Sequence, residues 1–310
     1  MPHGDQDEGR DAGRHVSVLP KEVPALLVPP GRTPRRILDC TLGAGGHAKA
    51  LLELAGTDAR LVGMDADESN VILARRTLAS HRGRVRLFHA NFADAREVLR
   101  EAGWDHCDAL LADLGFASNQ VDDPRRGLSF QQSGPLDMRL DRHSPRTAAD
   151  IVNQVGEKDL ADLIYTFGEE RYSRRIARAI VSARRAGRIE RTTDLAEIVG
   201  RALPAPVRRT RRGIHPAART FQALRIAVNN ELENLDALLE LLPDALCPGG
   251  RAAIISFHSL EDRRVKRCFA ALEKIEKATV LTKKPITPSR AELASNPRSR
   301  SAKLRGIEIR

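Results

Sequence analysis

Aromatic residues are scarce in this chain of 310 residues, at 4% with a single tryptophan. That scarcity excludes a broad stacking platform of the kind that binds single-stranded nucleic acid without sequence preference. Cysteine is sparse as well. Cys40, Cys107, Cys247 and Cys268 are scattered with no C-x-x-C pairing, and three of them lie in or beside apolar segments where a small buried thiol is common. No disulfide and no zinc site is expected, and the nine histidines show no paired spacing, so no metal is expected either. No apolar run reaches the length of a membrane span, and the opening Met1-Pro-His-Gly-Asp-Gln-Asp-Glu8 is polar and partly acidic, unlike a secretory signal or an Arg-rich transit peptide. The expectation is a cytoplasmic protein with no membrane partner. With 41% hydrophobic residues the chain can bury a sizeable core, and its length fits two modest domains better than one large one.

What the chain does have is Arg36-Ile-Leu-Asp39-Cys-Thr41-Leu-Gly43-Ala-Gly45-Gly46-His47, an apolar strand that runs into a glycine-rich turn and then a helix. Glycines let the backbone turn tightly and approach a ligand, while the first N–H groups of the following helix face whatever sits there. A second strand, Arg60 to Met64, ends in Asp65, about twenty residues past the glycines, where a carboxylate can accept both hydroxyls of a ribose. Gly43, Gly45 and Ala48 also fit the dinucleotide fingerprint with alanine in its third place, so the glycines alone leave the nucleotide open. A third strand, Val85 to Phe88, leads to Asn91-Phe92, and a fourth, Asp108 to Ala112, ends in Asp113. In a doubly wound sheet, ligands lie at the carboxyl ends of the strands, so Gly45, Asp65, Phe92 and Asp113 should open into one crevice. Phe92 reads equally as a wall for an adenine ring and as a core phenylalanine.

After Gln120 the alternation breaks at the turn-rich Asp122-Asp-Pro-Arg-Arg-Gly127, and about a hundred residues of mainly helical sequence follow. Strand-like sequence resumes at Gly249 to Ser256, and Phe257-His258-Ser259 leads into a charged helix from Glu261. Lys283 to Arg300, rich in proline, serine and basic residues, reads as a loop or flexible arm before a short final strand, Leu304 to Ile309. The formal net charge of +10 is concentrated in one place: Arg171 to Arg225 holds fifteen arginines, no lysine, and only Glu190, Asp194 and Glu197 as acids, a balance of +12. Arg171, Arg174, Arg175 and Arg178 share one helical face, opposite an apolar stripe of Ile176, Ala179, Ile180 and Ala183. With Arg208-Arg209-Thr-Arg211-Arg212, this face suits phosphate recognition by bidentate contacts, so an acidic polymer is the natural partner.

The runs Thr41 to His47, Arg126-Gly-Leu-Ser-Phe130, Gly134-Pro-Leu-Asp-Met-Arg139, Gly168-Glu-Glu-Arg171, Arg219-Thr-Phe-Gln-Ala-Leu-Arg225, Ser256-Phe-His-Ser-Leu-Glu-Asp-Arg263 and Asn296-Pro-Arg-Ser-Arg-Ser301 together resemble the MraW family of small-subunit ribosomal RNA methyltransferases. The resemblance covers nearly everything from His15 to Ile309. It implies an α/β fold: a Rossmann-like sheet of the class I S-adenosylmethionine-dependent methyltransferases with an inserted, mainly helical domain. In that arrangement residues 15–120 and 222–310 form the methyltransferase domain, 121–221 form the substrate-recognition insertion, and 1–14 are a disordered extension. The implied activity is methylation of the exocyclic N4 of one cytidine in the decoding region of small-subunit ribosomal RNA, with S-adenosylmethionine as cofactor. The implied partner is that RNA within the small ribosomal subunit; a homo-oligomer is left open.

Carried over by motif, the cofactor-binding positions are Gly45, Gly46, His47, Asp65, Phe92, Asp113 and Gln120, of which His47 and Gln120 rest on the resemblance alone. Cytosine N4 shares its lone pair with the ring, so an acceptor for its hydrogens would help the nitrogen become pyramidal as the methyl transfers. Asp113, or a backbone carbonyl between Asp113 and Phe116, is the candidate catalytic acceptor. Arg139, Arg171, Arg219, His258, Ser259 and Arg263 form a substrate-facing group, with structural ion pairing as their alternative role. The chain departs from the family's D-L-G-V-S-S-P-Q, having Asp113-Leu-Gly-Phe116-Ala117-Ser118-Asn119-Gln120, and Ala218 stands where a threonine is usual. Phe116 can stack on the target base or pack against the sheet, and packing is expected because the usual residue is aliphatic. Two rivals are a nicotinamide-dependent oxidoreductase, which lacks a use for the arginines, and a non-catalytic ribosome-assembly factor, which lacks a use for the crevice.

Overall fold

Successive residues of the central strands point to opposite sides of one sheet, and both sides are covered, so the strands read as continuous apolar runs. In the computed structural model, which describes residues 17–210 and 215–310, these strands are β1 (Arg36–Asp39), β2 (Arg60–Asp65), β3 (Val85–His89), β4 (Cys107–Asp113), β5 (Leu246–Ser256), β6 (Ala278–Val280) and β7 (Lys303–Ile309). Their order is β3-β2-β1-β4-β5-β7-β6. The first five run parallel, and β7 is inserted antiparallel between β5 and β6. This is the doubly wound α/β architecture expected, with the order reversing on either side of β1 and β4.

Leu38, Val62, Met64, Leu110, Ala112, Ala252 and Ile254 pack beneath the helices Ala95–Glu101, Glu231–Ala245 and Ser259–Lys274. The alternate residues Ile37, Leu61, Ala109, Leu111, Ala253 and Ile255 pack beneath Glu22–Leu27, Gly46–Leu54 and Glu68–Thr77. A third apolar cluster, from Leu136 to Val228, lies among the helices Ala148–Gln154, Glu157–Gly168, Ser173–Ala183, Thr192–Ala202 and Ala218–Asn229. Phe221, Leu224 and Val228, on one stripe of the last helix, belong to this cluster, so helical packing continues past residue 221. Ile226 of the same helix packs instead with Leu232 and Leu260, which joins the helical cluster to the helices that cover the sheet. The expected extension at residues 1–14, and Arg211 and Arg212, lie outside the described residues.

Strand β6 was not legible from the sequence, since three residues carry no periodicity. The basic, proline-rich arm is built as the helix Arg290–Ser295 and the 3-10 turn Pro297–Ser301. It is held by the Leu19 N–H, which donates to Glu292 Oε1 at 2.7 Å, and by a bridge between Ile286 and Leu304. No helix among the described residues is long and apolar enough to cross a membrane.

Gly168 ends the helix Glu157–Gly168 where it crosses Ala218–Asn229, and a Cβ added there would lie 2.5 Å from the Arg219 carbonyl oxygen. Helix propensity alone would make Gly168→Ala stabilising by about 1 kcal/mol. The backbone contact reverses the sign, and thermal unfolding of Gly168→Ala should report a loss of roughly 1–3 kcal/mol.

Candidate active site

Residue Gly43 sits in the left-handed region at φ +51°, and Gly45, at φ +83°, caps the helix Gly46–Leu54. Both conformations favour glycine and bend the chain sharply away from β1. The Gly43 N–H donates to Asp65 Oδ2 at 2.8 Å, so the end of β2 holds the glycine turn in place. The other oxygen, Asp65 Oδ1, accepts the Asp67 N–H at 2.8 Å, and the Asn70 amide donates to both oxygens at 3.2 and 3.3 Å. Asp67 caps the helix Glu68–Thr77 through Ser69, while its second oxygen receives Gln120 Nε2 at 2.7 Å and Arg126 Nη2 at 2.5 Å. The same Arg126 nitrogen donates to the Leu140 carbonyl at 2.7 Å. One buried aspartate thus ties the sheet to the entrance of the helical segment.

These turns enclose a cavity of about 470 Å³, within the usual range for small-molecule sites. Its lining includes Gly43, Gly46, His47, Asp65, Phe92 and Asp113. Gly45 is not part of this lining; its α-carbon faces Ala74 of the next helix, and Gly43 takes the place expected for it. Phe92 serves both roles proposed for it, packing against the sheet core and lining the cavity. Gln120 lines the cavity with its polar atoms committed: Oε1 accepts the Ala117 N–H at 2.8 Å and Nε2 donates to Asp67.

Asp65 and Asp113 line the cavity, and the Asp39 carboxyl is buried within electrostatic reach of both. Burial pushes Asp39 up to about 7, only partly offset by the Thr41 N–H, and Asp65 adds repulsion. Burial likewise lifts Asp65 to about 6 against the N–H groups of Asp67 and Gly43. Asp113 is raised well above the usual carboxylate range by burial, then by the charges of Asp39 and Glu261. Asp39 Oδ2 and Asp113 Oδ1 are buried without a hydrogen-bond partner among the described residues. His47 Nε2 stands 3.7 Å from Asp113 Oδ2, and the Asp113 N–H is fixed by Thr41 Oγ1 at 2.5 Å.

Beyond β4, Phe116 departs from expectation. It does not pack against the sheet: it is 38% exposed and lines the cavity, with the Arg225 guanidinium 4.7 Å from its ring centre. Arg225 donates Nε and Nη2 to the two oxygens of Glu231 at 2.7 and 2.8 Å. Behind this pair, His258 Nε2 lies 3.2 Å from Glu261 Oε1 and 4.0 Å from Glu231 Oε2. Ligand atoms of Glu231, His258 and Glu261 lie within 4.8 Å of one another, close enough to hold a metal ion. Arg225 pairs with Glu231, and Glu261 Oε2 accepts the N–H groups of Phe257 and His258, while His258 Nε2 makes no hydrogen bond among the described residues.

Several of the expected substrate-facing residues have structural partners. Arg139 is a loop brace, its Nε and Nη2 on the two oxygens of Asp137 and its Nη1 on the Arg142 and Ser144 carbonyls. Ser259 Oγ and Arg263 Nη2 both donate to Glu169, while Arg219 Nη1 donates to the Glu169 carbonyl at 2.8 Å. Glu169 thereby joins the helical segment to the start of the Ser259–Lys274 helix. His258 caps that helix, its side chain accepting from the Glu261 N–H. Arg174, Arg175 and Arg178 are exposed as the helical spacing implies, Arg178 lying 3.5 Å from Glu157, whereas Arg171 falls in the turn before the helix, exposed and 4.9 Å from the Tyr172 ring centre. Sequence reasoning did not single out Asp39, Asp67, Arg126 or Arg225. The last two stood inside the family runs, but no spacing rule marks a residue whose partner is 59 positions away, as Asp67 is from Arg126.

Asp39 provides a pH test. Its carboxyl binds a proton more tightly folded than unfolded, so its contribution to stability is full below about pH 4 and is lost as pH rises through about 7. Unliganded Asp39→Asn should therefore show a smaller decline in unfolding free energy between these pH values than the wild type, measured by denaturant titration.

The sequence pattern of the MraW methylase family matches residues 12–310. The ribosomal RNA small subunit methyltransferase H of Sorangium cellulosum is 49% identical over 293 residues, covering 94% of this chain and 90% of that protein. Its namesake in Citrifermentans bemidjiense is 45% identical over 309 residues, covering 95% and 98%. That of Synechococcus elongatus is 48% identical over 294 residues, covering 95% and 94%. With identity this high along almost the whole length, and a family match that spans both the sheet and the helical segment, the chain belongs to the MraW methylase family.

Proposed function

We propose that this protein methylates small-subunit ribosomal RNA with S-adenosylmethionine as donor, and that the acceptor is the exocyclic N4 of one cytidine in the decoding region. The observation that carries the reading is that Asp65 and Asp113 line one crevice, with the buried Asp39 carboxyl within electrostatic reach of both. A cavity lined by two buried carboxyl groups with a third beside them favours a cationic ligand, which S-adenosylmethionine is at its sulfonium and its amino group. The pyrophosphate of a nicotinamide dinucleotide would bring negative charge into the same space, which disfavours the oxidoreductase reading. The names carried by the relatives point to the same RNA.

In this reading Asp65 accepts the ribose hydroxyls in place of the long Asn70 contacts, Phe92 walls the adenine, and the turn from Gly43 to Gly46 cradles the amino-acid end at a helix N-terminus, where a carboxylate is favoured. His47 and Gln120 support this site, Gln120 through its hold on Asp67. The bound cofactor supplies a methyl group already activated on sulfur, so the protein has mainly to position the acceptor in line with it. Asp113, at the carboxyl end of β4, accepts a hydrogen of the amine as N4 becomes pyramidal; a cationic ligand nearby favours the ionised form that this role needs. Reaching N4 requires an unstacked base, consistent with single-stranded or locally opened RNA. Helical residues 121–221, together with the helix that continues to Asn229, form the substrate-recognition part, and the exposed arginines of Ser173–Ala183 engage RNA phosphates. The protein works in the cytoplasm on the small ribosomal subunit.

Small subunits lacking the modification should accept labelled methyl from S-adenosylmethionine, and nucleoside mass spectrometry should find N4-methylcytidine at a single site. Asp113→Asn should bind the cofactor yet turn over about 100-fold more slowly or worse. Full turnover in that variant would remove Asp113 from the chemistry, and methyl on any other nucleoside would overturn the N4 assignment.

A further inference from the structure

Aromatic side chains are few in this protein, and one is left partly uncovered at the place where the proposed reaction occurs. Leu54, Ile72, Phe116, Tyr165 and Ile275 are the large apolar residues exposed among those described, and of these only Phe116 lines the crevice. Its neighbour Leu114 is 3% exposed, so the turn that follows β4 buries one apolar side chain and presents the next but one. Gly115 makes this possible: at φ +104° it adopts a backbone conformation that other residues rarely accept.

The Arg225 guanidinium lies 4.7 Å from the Phe116 ring centre, within the range of a cation–π contact. Arg225 is poorly suited to holding an RNA phosphate, because its fork is already occupied by both oxygens of Glu231 and its side chain is only 13% exposed. What it offers is its flat face, locked in orientation by the bidentate pair. Phe116 is thereby braced on one side while part of its surface remains open to the cavity that Asp113, three residues earlier, also lines.

We propose that Phe116, braced by Arg225, is the stacking platform for the target base, a residue that holds the ring with its exocyclic amine towards Asp113. This inference rests on the cytidine-methylation reading above. It adds a role for a position where the family usually has an aliphatic residue, so in this chain the base is gripped by an aromatic face. A ring stacked on one side and hydrogen-bonded at its amine has the two constraints needed to orient N4.

The test uses the full-length protein, S-adenosylhomocysteine to hold the site without turnover, and small subunits carrying at the target position the fluorescent analogue 5-(2-furyl)cytidine, whose exocyclic amine is free. Wild type and Phe116→Tyr should both quench the analogue on binding. Phe116→Leu should fail to quench it and should lose about 10- to 100-fold in kcat/KM on unlabelled subunits, the range expected for one lost base–aromatic stack. Cofactor affinity, followed by calorimetry, should be the same in all three proteins. Quenching and kcat/KM retained in Phe116→Leu would overturn the platform, and so would a loss of cofactor affinity matching the loss of kcat/KM, because Phe116 would then be packing on the cofactor. Failure of the underlying reading is separate and visible in the wild type alone, as subunits that gain no N4-methylcytidine.

Discussion

A buried carboxylate, that of Asp67, is the knot from which the active-site architecture hangs. It caps one helix, receives Gln120 from the turn after β4, and pairs with Arg126 at the entrance of the helical segment, with both members of the ion pair 6% exposed. Its own N–H is held by Asp65, which also grips the glycine turn through Gly43. Three loops distant in sequence are therefore fixed relative to one another by a handful of charge-assisted hydrogen bonds in a setting with little water. Removing one member of such a buried pair costs about 3–5 kcal/mol, because the other is left charged and unpaired.

The distribution of charge divides the labour. Acidic groups are gathered in and behind the crevice, where burial first and neighbouring carboxylates second raise their proton affinity and make the cavity receptive to a cation. Arginines dominate the helical surface, where an RNA backbone is the fitting partner, and several act at the seam itself. Glu169 collects Ser259, Arg263 and, through its carbonyl, Arg219, so residues that read from sequence as RNA contacts are spent on joining the helical segment to the helix after β5. The Arg225–Glu231 pair plays a comparable part deeper in, setting the wall against Phe116 of the turn after β4.

Much of the fold was legible because it is written locally. Apolar runs bounded by turn residues marked β1 to β5 and β7, and strand ends pointed to Asp65, Phe92 and Asp113 as neighbours in space. Arginine spacing correctly placed Arg174, Arg175 and Arg178 on the exposed side of one helix, while Arg171 is exposed in the turn before it. Long-range pairings were not legible. Nothing in the local pattern announces that Arg126 reaches Asp67, that Arg139 turns back on Asp137 and two carbonyls, or that a short strand at Ala278–Val280 completes the sheet. Phe116 was misread for a related reason. An aliphatic precedent suggested packing, whereas the exposure of a side chain after Gly115 depends on the turn's geometry and on Arg225, over a hundred residues later.

The most direct test of this account is amide hydrogen exchange on Asp67→Asn, which preserves a helix-capping side chain while removing the charge that Arg126 and Gln120 engage. Faster exchange than in the wild type is predicted not only near residue 67 but across residues 117–127 and 138–140, with β1, β4 and β5 unchanged. Acceleration confined to residues 66–70 would contradict the claim that one aspartate couples the cofactor crevice to the helical segment.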